Sequence, residues 1–318
     1  MMSAERILLS APGWDSELWI GELEKHAPGR DIVLETDGAT DPSIRFAVVW
    51  KQPEGLLSSL PNLKAIFSLG AGVDHIFKDT TLPDVPIVRI VSDDLTARMS
   101  EYVVWQVLDH HRNGPRYRRQ QQNHSWGETR QQASADDVTV GIMGLGELGR
   151  DSAAKLNVLG FKVTGWSRRQ QDVDGVTCFA GPEGFGDFLA SADIFVVLLP
   201  LTDETRGILG LETFRRMTRR GPLGAPVLIN AGRGGLQVEA DIVAALDEGL
   251  LSAASLDVFE AEPLGKDSPL WEHPKVTVTP HAAASSNAAR LAGPIVEQMK
   301  AYDRGEPLAN LVDKSAGY

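Results

Sequence analysis

The chain has 318 residues, room for two domains at about 150 residues each, with the composition of an ordinary globular protein and a formal net charge of −12. That charge argues against nonspecific nucleic-acid binding, which draws on a broad basic face, so any anionic ligand must be met by local positive charge. No apolar run reaches the roughly 18 residues that a membrane span needs, Met1 to Ser10 carries no signal-peptide pattern, and the single cysteine, Cys178, can form neither an internal disulfide nor a cysteine-based metal site; the expectation is a cytoplasmic protein with no metal and no membrane or nucleic-acid partner.

Strand-like runs come first at Arg6 to Ser10, Asp31 to Glu35, Phe46 to Trp50, Leu63 to Leu69 and Ile87 to Val91, with polar, helix-compatible segments such as Trp14 to His26 between them. Such alternation predicts a parallel sheet flanked by helices. After the fourth run stand Ser68, Leu69, Gly70, Ala71, Gly72, Val73 and Asp74, where glycines can turn consecutive N–H groups toward an anion. A plain glycine-rich turn is the alternative. A helix is predicted from Ser100 to about His124, apolar at Val103, Val104, Val107 and Leu108, then basic at Arg112, Arg116, Arg118 and Arg119. The basic run reads as a solvated or subunit-contacting helix face rather than a phosphate contact.

A second alternating series follows: Val138 to Met143, Lys162 to Trp166, Ile194 to Leu199, Val227 to Asn230, Ala253 to Val258 and Val276 to Val278. Ile194 to Leu199 is unbroken apolar, as a strand covered on both faces requires. Both halves are therefore α/β. The first run of this series leads directly into Gly144, Leu145, Gly146, Glu147, Leu148 and Gly149, and then into a helix near Arg150. In such a turn the first glycine permits the bend, the second lets backbone approach a pyrophosphate, and the third lets helix and strand pack closely. The helix N-terminus offers N–H groups to the phosphates. At the end of the next strand an Asp or Glu would hold the adenosine ribose hydroxyls. Here stand Ser167, Arg168 and Arg169. A hydroxyl and two guanidiniums match the charge and acceptor oxygens of a 2′-phosphate, so the pattern predicts NADP(H), with NAD(H) a weaker alternative; a solvated basic turn is the plainer reading of the two arginines.

Three later strands each end on a candidate chemical group. Arg233 lies in the turn Asn230 to Gly235, Glu262 lies beyond Asp257, and His281 follows Pro280. A histidine can give a proton to a carbonyl oxygen as hydride reaches its carbon, an adjacent carboxylate would orient the ring, and an arginine can grip a carboxylate with two parallel bonds. The remaining histidines, among them the adjacent pair His110 and His111, show no such setting.

These features together resemble the D-isomer-specific 2-hydroxyacid dehydrogenases. The matching segments are Leu69 to Asp74, Gly144 to Gly149, Leu199-Pro200-Leu201-Thr202, the Arg233 loop, Asp257 with Glu262-Pro263-Leu264, and Pro280-His281, in the family's order over most of the chain. Trp50, Trp166-Ser167-Arg168, Ser268-Pro269-Leu270-Trp271 and Gly317-Tyr318 are similar to the glyoxylate/hydroxypyruvate reductase A subgroup. The resemblance implies two doubly wound parallel-sheet domains, a Rossmann cofactor domain (101–282) inserted into a flavodoxin-like substrate domain (1–100 and 283–318). It implies reduction of a short 2-oxo acid by NADPH, with His281 as acid/base, Glu262 as its partner and Arg233 as substrate anchor. It further implies a substrate site completed by Ala71, Gly72 and Val73 and walled by Trp50, a nicotinamide carboxamide held by Asp257 and Ala231, Leu199 and Pro200 beside the cofactor, and a homodimer through the cofactor domain. The departure from common members is the missing acidic residue at Ser167, which bears on NAD use alone. Rival readings are a reductase of another 2-oxo acid, such as pyruvate or a bulkier or phosphorylated acid, and a cofactor-sensing binding protein; the Arg233, Glu262 and His281 set argues against the latter.

Overall fold

Ile7, Leu8 and Leu9 are all buried, so strand β1 (Arg6–Ser10) has no solvent face and must lie inside a sheet covered on both sides. In the computed structural model, which describes residues 5–35, 40–217 and 221–314, it does. Gly317 and Tyr318 lie outside the described residues. The chain divides into two units, Met1–Asp94 with Ser286–Tyr318, and Leu95–Ser285.

In the first unit β1 is flanked by β2 (Asp31–Leu34) and β3 (Ile44–Val49), followed by β4 (Ala65–Ser68) and β5 (Ile87–Val88), all parallel in the order β2-β1-β3-β4-β5. This is the flavodoxin-type order. Helix Ser16–His26 starts where the Asp15 carboxylate accepts the N–H of Leu18 at 3.0 Å, and it buries Trp19 and Leu23. It packs on helix Ala288–Asp303, whose Leu291, Ala292, Ile295, Val296 and Met299 complete the same apolar core. Arg45 bonds both Glu5 (2.6 Å) and Asp303 (3.0 Å), tying the end of that late helix to the start of the chain.

The second unit holds β6 (Thr139–Met143), β7 (Lys162–Ser167), β8 (Val176–Ala180), β9 (Ile194–Val197), β10 (Val227–Asn230), β11 (Ala253–Leu256) and β12 (Val276–Val278). They pair in parallel in the order β12-β11-β10-β9-β6-β7-β8. The order reverses at β6, between β7 and β9, which is the switch point where doubly wound sheets open a crevice for ligands. β8 is absent from the expected strands: it is an edge strand, and none of its residues is fully buried, so it has no apolar alternation to read.

The single helix expected from Ser100 to His124 is two helices, Asp93–His111 and Gly114–Gln122. Asn113 between them is left-handed at φ 61°, a conformation asparagine tolerates better than most residues, and Pro115 opens the second helix. The Asp109 carboxylate takes both Arg118 guanidinium nitrogens, at 2.8 and 2.7 Å, and braces the corner.

Candidate functional site

β6 runs into Gly144, which turns at φ 107°. A Cβ there would lie 2.9 Å from the Leu198 carbonyl oxygen, so dihedral and space both demand glycine. At Gly149 a Cβ would fall 1.9 Å from the Gly144 carbonyl oxygen, which shows how closely helix Glu147–Val158 presses on the turn. Gly146 differs: nothing lies within 4 Å of its Cβ position, and it begins the helix without a side-chain cap. An open backbone face beside uncapped first-turn N–H groups fits a pyrophosphate. Glu147 is exposed in that first turn and Leu148 is half-buried.

The Gly144 N–H donates to the Trp166 carbonyl at 2.9 Å, which sets the end of β7 beside the turn. There Ser167 Oγ donates to the Arg169 carbonyl at 2.8 Å, and Arg168 and Arg169 are exposed. Arg150, which sequence reasoning passed over, donates from Nε to the Leu145 carbonyl at 3.0 Å and bonds Gln171. It thereby ties the glycine turn to the segment carrying the two arginines. Its only signal in the sequence is its place one residue after the last glycine.

The ends of β9, β10, β11 and β12 carry the other candidates of this unit. Leu199 and Ala231 are buried, and a Cβ on Gly232 would come within 2.9 Å of the Leu199 carbonyl oxygen. The Pro200 carbonyl accepts from Thr205 at 2.8 Å. Asn230 organises the Arg233 loop, donating to the Arg233 carbonyl at 3.1 Å and accepting from the Gly232 N–H at 3.1 Å. Gly234 lies against the Phe259 backbone, where a Cβ would be 1.9 Å from its carbonyl carbon. Arg233 is half-buried, and one of its guanidinium nitrogens donates to the Gly232 carbonyl at 2.8 Å.

The structure brings Glu262 and His281 together. His281 Nδ1 stands 3.0 and 2.9 Å from the two Glu262 oxygens, and Glu262 also accepts the Phe259 N–H at 3.2 Å. His281 is left-handed, at φ 53°. For a residue that carries a Cβ the conformation costs about 1–2 kcal/mol, and it persists where neighbours over-determine it. Asp257, 1% exposed, is that neighbour: its carbonyl accepts the His281 N–H at 2.8 Å, and its carboxylate accepts the N–H groups of Ala282 (2.8 Å) and Ala283 (3.0 Å). The Thr279 hydroxyl donates to the same carboxylate at 2.6 Å and sits 2.9 Å from the Tyr102 hydroxyl. Three of the roughly four acceptor positions of Asp257 thus serve the chain itself. Burial pushes the Tyr102 phenol well above its ordinary range, so it keeps its proton and can donate it.

Trp50, Ala71, Gly72 and Val73 belong to the first unit. The N–H groups of Ala71, Gly72 and Val73 take no backbone acceptor among the described residues. The loop is held by His75, 5% exposed, whose importance the sequence did not disclose. The Lys51 N–H donates to His75 Nδ1 at 3.1 Å, so the neutral ring carries its proton on Nε2, which donates to Ser68 Oγ at 3.2 Å. Ser68 Oγ in turn accepts the Gly70 N–H at 3.1 Å and donates to the Gly70 carbonyl at 2.9 Å. The His75 ring packs on Trp50 with centroids 4.4 Å apart, and a Cβ on Gly70 would be 2.3 Å from the Trp50 ring.

Among the described residues no group of three or more His, Cys, Asp or Glu side chains could hold a metal ion, and no helix is long and apolar enough to cross a membrane.

The family model "D-isomer specific 2-hydroxyacid dehydrogenase, NAD binding domain" matches residues 104–283. Glyoxylate/hydroxypyruvate reductase A of Yersinia enterocolitica is 37% identical over 318 residues, covering 98% of this chain and 99% of its own. The structure of an NADPH-dependent glyoxylate/hydroxypyruvate reductase from Sinorhizobium meliloti, in complex with NADP and sulfate, matches with a TM-score of 0.93 at 46% identity over 99% of this chain and 100% of that one. A probable 2-hydroxyacid dehydrogenase from Rhizobium etli, in complex with NADP, HEPES and L(+)-tartaric acid, matches with a TM-score of 0.92 at 45% identity over 99% and 100%.

Proposed function

The chain belongs to the D-isomer-specific 2-hydroxyacid dehydrogenases, a family of oxidoreductases, and from that premise we propose that it uses NADPH to reduce glyoxylate, hydroxypyruvate or a similar short 2-oxo acid to the D-2-hydroxy acid or glycolate. The observation that carries this reading is the Glu262 carboxylate flanking His281 Nδ1 at 2.9 and 3.0 Å. The reduced nicotinamide, when bound, supplies a hydride to the carbonyl carbon. His281 delivers the matching proton from Nε2 to the carbonyl oxygen, and Glu262 orients the ring through Nδ1. Arg233 and the N–H groups of Ala71, Gly72 and Val73 hold the substrate carboxylate, and Trp50 limits the size of the group beyond it.

The cofactor is held by the Gly144 to Gly149 turn and by Leu199, Pro200, Ala231 and the remaining acceptor capacity of Asp257. Ser167, Arg168 and Arg169 take its 2′-phosphate. The test is a panel of 2-oxo acids assayed with NADPH and NADH by absorbance at the nicotinamide band. Turnover of glyoxylate and hydroxypyruvate with NADPH above NADH is expected; turnover confined to bulky or phosphorylated acids, or a preference for NADH, overturns the reading.

The working molecule is a cytoplasmic homodimer joined through the cofactor domain. Trp105, Tyr117 and Trp126 support this: all three are exposed, Trp126 97% so, and aromatic side chains are enriched at interfaces between chains. Sedimentation at micromolar concentration should give twice the chain mass of 34.5 kDa; a monomer would refute it.

A further inference from the structure

We propose that Tyr102 is a positioning residue for the reaction: through Thr279 and Asp257 it holds His281 in the left-handed conformation from which the imidazole works. The inference rests on the assignment of His281 as acid/base and deepens it.

The direction of the hydrogen-bond chain follows from elementary inventory. An ionised Asp257 only accepts, so the one hydroxyl hydrogen of Thr279 points at it, over 2.6 Å. Thr279 Oγ1 can then only accept from Tyr102, which must donate across the 2.9 Å between them. Each donor in this series is polarised toward a buried charge, which strengthens both bonds. The same Asp257 receives the N–H groups of Ala282 and Ala283 on its carboxylate and that of His281 on its carbonyl. Those are the three peptides in and after the strained residue, so whatever fixes the carboxylate fixes the backbone of His281.

Tyr102 reaches this point from helix Asp93–His111, far from His281 in sequence, and it is 6% exposed. A phenylalanine would fill the same space, so loss of packing is not the expected effect. Without the phenol, Thr279 Oγ1 loses the donor that faces it among the described residues, the carboxylate gains freedom, and His281 can relax from its positive φ.

Tyr102→Phe should lower kcat with glyoxylate and NADPH about fivefold to tenfold, with the KM for glyoxylate and the Kd for NADPH, read by tryptophan fluorescence, changed less than about twofold. Thr279→Val, which removes both bonds, should lower kcat more, by about 10- to 100-fold, and Thr279→Ser, which keeps the hydroxyl, should restore it to within about twofold of the parent. Parental kcat in Tyr102→Phe overturns the proposal whatever Thr279→Val does, as does a weakening of NADPH binding in proportion to the loss of kcat. His281→Ala run alongside separates the two readings: if it stays active the acid/base assignment falls, whereas an inactive His281→Ala beside a fully active Tyr102→Phe removes only the role of Tyr102.

Discussion

At the scale of single residues, the proposed chemistry depends on one imidazole, that of His281, held at a left-handed backbone angle. His281→Ala should lower kcat by about 100-fold or more while NADPH binding stays close to parental, because proton donation is felt only in the transition state. Single-turnover kinetics and a fluorescence titration check the two halves; unchanged turnover removes the residue from the mechanism. Arg168→Ala should raise the KM for NADPH about tenfold or more and leave that for NADH nearly unmoved, since only one of the two carries the charge it would pair with. Equal effects on both cofactors would sink the 2′-phosphate assignment. Gly144, Gly149 and the Glu262–His281 pair were legible in the sequence because glycine spacing and strand-end positions are local signals. His75 and Tyr102 were not: each looks like an ordinary core aromatic until its partners, Lys51 and Ser68 for one and Thr279 for the other, are brought in from elsewhere in the chain.

At the scale of elements, helix Asp93–His111 buries polar side chains, Ser100, Gln106, His110 and His111, among its apolar ones. His110, one of its last residues, is 8% exposed and bonds Ser255 Oγ through Nε2 at 2.8 Å. Burial pushes its pKa down to about 4 from 6.5. In the unfolded chain the ring takes a proton below its ordinary pKa while the folded chain still refuses it, so the unfolded state binds more protons in that window. Stability is therefore fully present above pH 6.5 and falls as pH drops toward about 4, by up to about 3 kcal/mol from this group. Urea melts between pH 7 and 4 should show the decline, and His110→Gln should flatten it; an identical slope in both proteins would exclude His110 as its source. The helix break at Asn113 and edge strand β8 are the element-level features that the sequence hid. The first sits inside a run that keeps helical character on both sides, and the second buries no face.

At the scale of the whole molecule, the alternation of strands and helices revealed two α/β sheets, but no periodicity could say that the last helix completes the first sheet. Its Leu291, Ile295, Val296 and Met299 are buried in the core that Trp19 and Leu23 line from the other helix. At about 1.5–3 kcal/mol each, those four side chains are worth roughly 6–12 kcal/mol, comparable to the entire stability of a domain. A chain ending at Ser285 should therefore keep residues 95–285 folded and able to bind NADPH, while residues 5–94 lose cooperative melting. Calorimetry would show it, and a first unit that still melts cooperatively would refute it.

The same discontinuity sets a timetable for synthesis. Leu95–Ser285 is continuous and can fold as soon as it clears the ribosome, but the sheet formed by β1 to β5 must wait for residues that arrive about 200 positions later. At about 5–20 residues per second that delay is on the order of 10 s or more. For that interval Trp19, Leu23, Phe46 and Phe67 lie on an uncovered apolar face, so the nascent N-terminal segment is where this protein has most need of a chaperone, and where premature termination would do the most harm.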